Sequence, residues 1–507
     1  MNQQRHIIKK QVLELLLSSS EGAFELQNEI SRIYRSKIVP LIDTCLSQLS
    51  ASDEIYRIDR LEINLGNIDI NNLEEEFIAK FKQEIRQLIE QNRERSPLFA
   101  STGSRSNQTT SQLELFSYFI QTGNLPWWSQ KLSKQELEKS CDRLLKTSPE
   151  QVKLIFAESF KQEKYSRRII YQFSDSTLLK ITQLFASNLY NFITNYHNDI
   201  QQIYKKKIDI LANIPPSKFR LEFWRGIFFT ILFEQYTRSQ NVQFTRNHLL
   251  HIATSFRLNY LLLIDKMLEA AENLKQEGRN LKSQLPEILT QINSTVSREN
   301  SSIASESEQS INLEEARSRS AAEGRSQPED TLTNTVAPFS DSEEIYIYNS
   351  GLVLLWPFLA RFFETLELIQ EGHFINSESA ERAVLILQYL VDGVTEIPEY
   401  LLSLNKILCG IDLLEPVATN LAIAEQERHE CEHLLSAVIS NWSILKNTSL
   451  EGFRRAFLQR EGILRVRDGS WLLQVEQETY DVLLDRIPWS ISAVKLPWMN
   501  ELIYVEW

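Results

Sequence analysis

Apolar positions divide the chain into stretches of different period. Val12-Leu13-Glu14-Leu15-Leu16-Leu17 is a nearly continuous apolar run, read as a strand. Ser18-Ser19-Ser20-Glu21 then offers a helix cap with an acidic first turn. Ala23, Leu26, Ile30, Ile33, Tyr34, Leu41, Cys45 and Leu49 recur at helical spacing, and Pro40 should kink or split that helix. Leu61, Ile63 and Leu65 alternate with polar residues up to Gly66, the pattern of a half-buried strand. Leu73, Phe77, Phe81, Ile85 and Leu88 mark another helix. Residues 1–94 therefore read as a small β-α-β-α docking domain. Two strands alone make no stable sheet, so this block should borrow strands from another subunit or from the C-terminal region.

Residues 95–111 are polar and read as a linker. Residues 112–291 form a helical middle region. A single helix over it would span roughly 270 Å at the helical rise. Pro126, Pro149 and Pro215-Pro216 interrupt it, and its apolar faces are wide enough to fold on themselves. Leu221, Trp224, Ile227, Phe228, Ile231 and Leu232 line one helix face there, which Phe223, Phe229 and Phe233 widen. Residues 292–342 are rich in Ser, Glu, Asn, Arg and Thr, with few large apolar side chains. Such a segment cannot offset its ordering entropy and reads as a disordered linker.

Residues 343–507 form a C-terminal domain that begins helical. Arg382, Ala383, Leu385, Leu387, Leu390 and Val391 belong to one helix; Cys431, Leu434, Leu435, Val438 and Trp442 stripe another. Asp468-Gly469 is a type I′ turn signal that sets Val466 opposite Trp471 and Leu464 opposite Leu473. Tyr504-Val505-Glu506-Trp507 should be tied into structure. The fold class is thus α+β, mainly α.

The net charge of −13 disfavours nucleic-acid binding and adhesion to an anionic membrane. Lys9, Lys10 and Glu14 interrupt the first apolar run, so no signal peptide is expected, and Phe223–Phe233 is too short to cross a bilayer. A cytoplasmic protein without membrane insertion is expected. Cys45, Cys141, Cys409 and Cys431 are widely spaced and read as free core thiols.

His429-Glu430-Cys431-Glu432-His433 spells H-E-x-x-H, the signature of zinc hydrolases, which needs both imidazoles facing a cleft. Helix phase opposes it, because the apolar stripe through Cys431 and Leu434 puts both histidines on the other face. His197, His248 and His251 have no ligand-spaced partners, and no phosphate loop or nucleophile elbow is present. No catalytic, cofactor-binding or metal residue is assigned, no cofactor is expected, and the zinc hydrolase stands as the alternative reading. Trp356, Trp442 and Trp471 read first as core residues. Candidate partner-docking residues are Trp127, Trp128, Trp356, Trp489, Trp498 and Trp507, several of them beside prolines in turns.

Two anchors resemble the tape-measure protein family of contractile injection systems, the phage-tail-like particles that drive a tube into a target. One runs from Phe24-Glu25-Leu26-Gln27 to Ile58-Asp59-Arg60-Leu61-Glu62-Ile63-Asn64-Leu65-Gly66. The other is the C-terminal domain, with Tyr348-Asn349-Ser350-Gly351, Leu404-Asn405-Lys406-Ile407-Leu408-Cys409-Gly410, Leu484-Asp485-Arg486-Ile487-Pro488-Trp489-Ser490 and Leu496-Pro497-Trp498-Met499. Thr122-Gly123-Asn124-Leu125-Pro126-Trp127-Trp128 is similar to a motif of the same family. The resemblance implies a non-enzymatic assembly protein that sets tube length and links tube to baseplate. The implied partners are inner-tube and baseplate hub or spike proteins, and the implied location is the injection particle; self-association is expected separately, from the strands that residues 1–94 should borrow.

Overall fold

The computed structural model describes residues 6, 8, 11–17, 22–47, 54–58, 61–94, 103–233, 241–295, 344–419 and 422–507. They are mainly helical, and they separate into two compact units: residues 1–116 with 126–130, and residues 117–125 with 131–507.

In the first unit, α1 (Ala23–Ile33) and α2 (Val39–Leu46) are joined by a π-helical turn, Tyr34–Ile38. Pro40 lies in the first turn of α2, where its missing N–H costs little. The helix that the sequence predicts to kink or split at Pro40 instead runs through it, interrupted only by the π-helical turn that ends at Ile38. α3 (Leu73–Glu94) packs on this pair, burying Phe77, Phe81 and Ile85 against Ile30, Ile33, Ile38 and Cys45. β1 (Glu54–Ile58) and β2 (Gly103–Asn107) form an antiparallel ribbon.

The predicted strands of this unit lie elsewhere. Residues 61–65 form no ladder, and Ile63 and Leu65 instead pack on the helical core. Their alternation is satisfied by lying across helices. Residues 12–17 are also outside any strand, with Val12 and Leu16 exposed. Within the polar stretch read as a linker, residues 103–107 form β2 and a helix begins at Gln108.

The second unit starts within α4 (Gln108–Thr122) and continues through α5 (Lys134–Thr147), α6 (Pro149–Ser159), α7 (Glu163–Gln172), α8 (Asp175–Phe185) and α9 (Tyr190–Lys205). α10 (Pro216–Phe233), α11 (Asn241–Ser255), α12 (Tyr260–Gln276) and α13 (285–295) follow. Pro149 and Pro216 each open a helix, so the prolines divide the region as expected. α10 buries Leu221, Phe223, Trp224, Ile227, Phe228 and Ile231, whereas Phe229 is 52% exposed and does not widen the buried face. The residues read as a linker from 292 onward begin as helix, because Ile292 extends the buried row of Leu285, Ile288 and Leu289. The rest of that segment, from 296 to 343, lies outside the described residues.

A five-stranded sheet then forms in the order β3 (Ile345–Ile347), β6 (Gly462–Arg467), β7 (Ser470–Val475), β9 (Ile503–Glu506), β8 (Ala493–Val494). A two-stranded pair, β4 (Ile369–Gln370) and β5 (His373–Phe374), stands apart from it. The β6–β7 hairpin has the predicted register, Val466 opposite Trp471 and Leu464 opposite Leu473. Asp468 and Gly469 both have positive φ, as a type I′ turn requires. α14 (Trp356–Thr365), α15 (Ser377–Asp392), α16 (Ser403–Leu408) and α17 (Glu425–Asn441) complete the unit with the single-turn α18 (Leu450–Phe453). α15 is buried on most sides, from Ala383 to Val391.

Candidate functional site

The C-terminal motifs converge on a buried charged junction. Arg168 of α7 and Glu399 are both inaccessible to solvent, and Arg168 Nε lies 3.1 Å from Glu399 Oε2. Lys406 Nζ of α16 reaches the other carboxylate oxygen at 2.6 Å. A buried charge is tolerated only when it is paired and hydrogen-bonded, and here nearly every donor is used. Arg168 also donates to the carbonyls of Ile120, Gln121 and Leu414, and Lys406 donates to that of Leu413. Gln172 Oε1 accepts from the Glu399 backbone N–H at 3.0 Å. Burial pushes the Lys406 ammonium below its usual range, opposed by the Glu399 carboxylate.

The Thr122-Gly123-Asn124 motif is shaped to this junction. Gly123 has φ +78°, and a Cβ there would come within 2.8 Å of Glu399 Oε1 and 3.1 Å of Arg168 Nε. Asn124 Oδ1 accepts from Ser403 Oγ at 2.6 Å, at the start of α16. Tyr400 OH both donates to Leu132 O (2.7 Å) and accepts from Leu132 N (2.9 Å). A second buried network joins Asn349, Gln388 and Asn405; Asn349 Nδ2 lies 2.8 Å from Gln388 Oε1 and 2.7 Å from Asn405 Oδ1. Beside it, a side chain at Gly351 would overlap the Phe457 carbonyl oxygen, at 1.7 Å. Asn349, Gly351, Asn405 and Lys406 thus make internal contacts. In the sequence these motifs carry the family resemblance, and nothing local assigns these side chains their polar roles.

Three of the six candidate docking tryptophans donate inside their own unit. Trp356 Nε1 bonds Ser490 O at 2.8 Å, Trp489 Nε1 bonds Leu354 O at 3.1 Å, and Trp498 Nε1 bonds Leu408 O at 2.8 Å. Their rings are partly exposed. Trp489 also meets Phe358 edge-on, and Trp498 meets Phe363 and Phe374. Trp507 is partly exposed, with the Arg460 guanidinium 5.3 Å from its ring. Arg460 is also bidentate to Asp481, which ties the end of β9 to the preceding loop. Trp127 is exposed and Trp128 partly so. Trp442 is fully buried and Trp471 partly.

The H-E-x-x-H residues lie on α17 in the predicted phase. Cys431 is buried while His429 and His433 are exposed, their rings 4.1 Å apart. Among the described residues, no group of three or more His, Cys, Asp or Glu is arranged to hold a metal ion. Of the other histidines, His197 and His251 bond the carboxylates of Asp175 and Glu222. His248 is buried between Tyr196 OH and Phe223 O, both at 2.9 Å, and burial drives it down to about 3, which keeps it neutral. All four cysteines are buried thiols. No helix among the described residues is long and apolar enough to cross a membrane.

These features define a mainly helical protein whose motif residues anchor its own C-terminal segments. The chain belongs to the contractile injection system tape measure protein family, whose model matches residues 5–507. It is accordingly a structural component of such a particle, associated with its tube components. No curated protein and no solved structure matches the chain.

Proposed function

We propose that this chain is a non-enzymatic assembly factor that joins the inner tube to the baseplate and takes part in setting tube length. Its partners are then inner-tube and baseplate hub or spike proteins, met in the cytoplasm during assembly. The family match along residues 5–507 carries this reading. The helices of the second unit are short and fold onto one another, which favours a junction factor over a linear helical ruler. Even α10, at 18 residues, would extend only about 27 Å by the helical rise. Trp127, the most exposed of the candidate tryptophans, is the indole best presented to a partner in this scheme.

Gene deletion followed by electron microscopy of the particles tests the proposal. Absent tubes, or tubes of scattered length, support it; normal particles of normal length refute it. Shortening the 296–343 segment then separates the two modes. A ruler predicts shorter tubes in proportion, and a junction factor predicts tubes of unchanged length.

A further inference from the structure

The first unit contains two β components that are unmatched within the chain. The β1–β2 ribbon pairs only with itself among the described residues, leaving an open edge on each strand. A two-stranded ribbon is marginal alone, and an open edge is a template for a further strand. Residues 11–17 lie outside any helix or ladder. Their apolar side chains are exposed, Val12 at 66% and Leu16 fully. The segment is held near its own helices by Gln11 Oε1, which accepts from Tyr34 OH of the π-turn. His6 Nδ1, 2.7 Å from Asp43 Oδ1 of α2, holds the chain just before it. It meets no strand there.

We propose that residues 12–16 of one copy add as a third strand to the free edge of β2 in a second copy. The added segment and β2 are each five residues long. Each has a single charged residue, at its centre and of opposite sign: Glu14 in Val-Leu-Glu-Leu-Leu and Arg105 in Gly-Ser-Arg-Ser-Asn. A centred register therefore sets opposite charges across from one another whichever way the strands run. Addition satisfies the backbone groups of both edges and covers apolar side chains now in water. Tethered to α2 and the π-turn, the segment pairs with no strand of its own chain among the described residues, and the partner ribbon is therefore a neighbour's. Each copy then gives one strand and receives one, a contact that propagates into a ring or a chain unless it closes reciprocally.

This goes beyond the junction role and is tested on purified full-length protein without particles, so either reading can fail alone. Two differently tagged variants, Glu14→Cys and Arg105→Cys, are mixed under mild oxidation; the four native cysteines are buried. A disulfide-linked heterodimer is expected from the mixture and from neither variant alone. Light scattering should show a concentration-dependent oligomer for the natural chain. Arg105→Glu should weaken it about tenfold, and adding Glu14→Lys to the same chain should restore it. A monomer at all concentrations overturns the proposal. So does a mixture that forms no cross-link, or an oligomer indifferent to the charge reversal.

Discussion

Trp356 and Trp489 donate across one seam in opposite directions. The Trp356 indole bonds the carbonyl of Ser490, next to Trp489, and the Trp489 indole bonds the carbonyl of Leu354, two residues before Trp356. The pair fastens the irregular segment after β7 to the start of α14, where a loop has no ladder to hold it. Replacing Trp489 by Phe keeps most of the ring packing and removes one bond. That change should cost about 1 kcal/mol in urea unfolding. Trp489→Ala also removes the edge contact with Phe358 and should cost about 3 kcal/mol. Equal costs for the two variants would show that the ring itself contributes nothing.

The Arg168–Glu399–Lys406 junction predicts an asymmetry between breaking it and replacing it. Glu399→Gln leaves two buried cations without their counter-charge and should destabilise the second unit by about 4 kcal/mol. The triple change Arg168→Met, Glu399→Leu, Lys406→Met removes every charge and should recover much of that loss. Thermal unfolding of both variants beside the natural chain reads the difference. A triple variant less stable than Glu399→Gln would mean that the bonds to the carbonyls of Ile120, Gln121 and Leu414 matter more than charge balance.

Gly123 tests the same junction from outside. Gly123→Ala meets two costs, a left-handed backbone and a Cβ pressed on Glu399 and Arg168. Gly278 has a similar φ, +80°, with open space around it. Gly278→Ala should cost about 1 kcal/mol and Gly123→Ala about 3 kcal/mol or more in the same denaturant titration. Equal losses would mean that the junction yields to the added carbon.

Legibility in the sequence followed the range of the interactions. The β6–β7 hairpin could be read because Asp468-Gly469 and the flanking alternation are adjacent and agree. The face of α17 could be read because one helical period decides whether Cys431 or His429 is buried. The ribbon was missed because Gly-Ser-Arg-Ser-Asn has no β-branched or aromatic residue, and its partner at 54–58 lies about fifty residues earlier. Residues 61–65 misled because an irregular segment that packs Ile63 and Leu65 on helices shows the same alternation as a strand. Arg168 and Glu399 are 231 residues apart, and no local pattern links them. Of the candidate docking residues, Trp127, Trp128, Trp489 and Trp498 lie in turns or bends beside their prolines, whereas Trp356 opens α14. The sequence could not show that the N–H groups of Trp356, Trp489 and Trp498 are directed at backbone carbonyls of their own unit.

β9 is an interior strand of its sheet, between β7 in parallel and β8 in antiparallel. Ile503 is fully buried, and Trp471 N–H bonds the carbonyl of Leu502. Deleting residues 503–507 therefore exposes two strand edges at once. The loss should be about 3 kcal/mol or more, with faster proteolysis of the preceding Pro-Trp segments. A truncated chain of unchanged stability would show that β9 is an accessory to the sheet.

Two carboxylates make the second unit sensitive to acid. Asp175 is opposed by burial, yet bonds from His197, Arg220 and Trp224 bring it down to about 2 from an ordinary 3.8. Glu222, also opposed by burial, is brought to about 2 from 4.5 by His251, Arg225 and Ser255. Both groups are more acidic in the folded chain than in the unfolded one. Their stabilising contribution is therefore complete above about pH 5 and is lost as pH falls through about 2. Partial exposure of Asp175 limits its share to roughly 1 kcal/mol after screening. Stability measured from pH 5 to pH 2 should fall steadily in the natural chain. Asp175→Asn should begin lower at pH 5 and fall less steeply, because one of the protons taken up on acid unfolding is gone. Parallel curves for the two proteins would rule Asp175 out as a contributor to the acid transition.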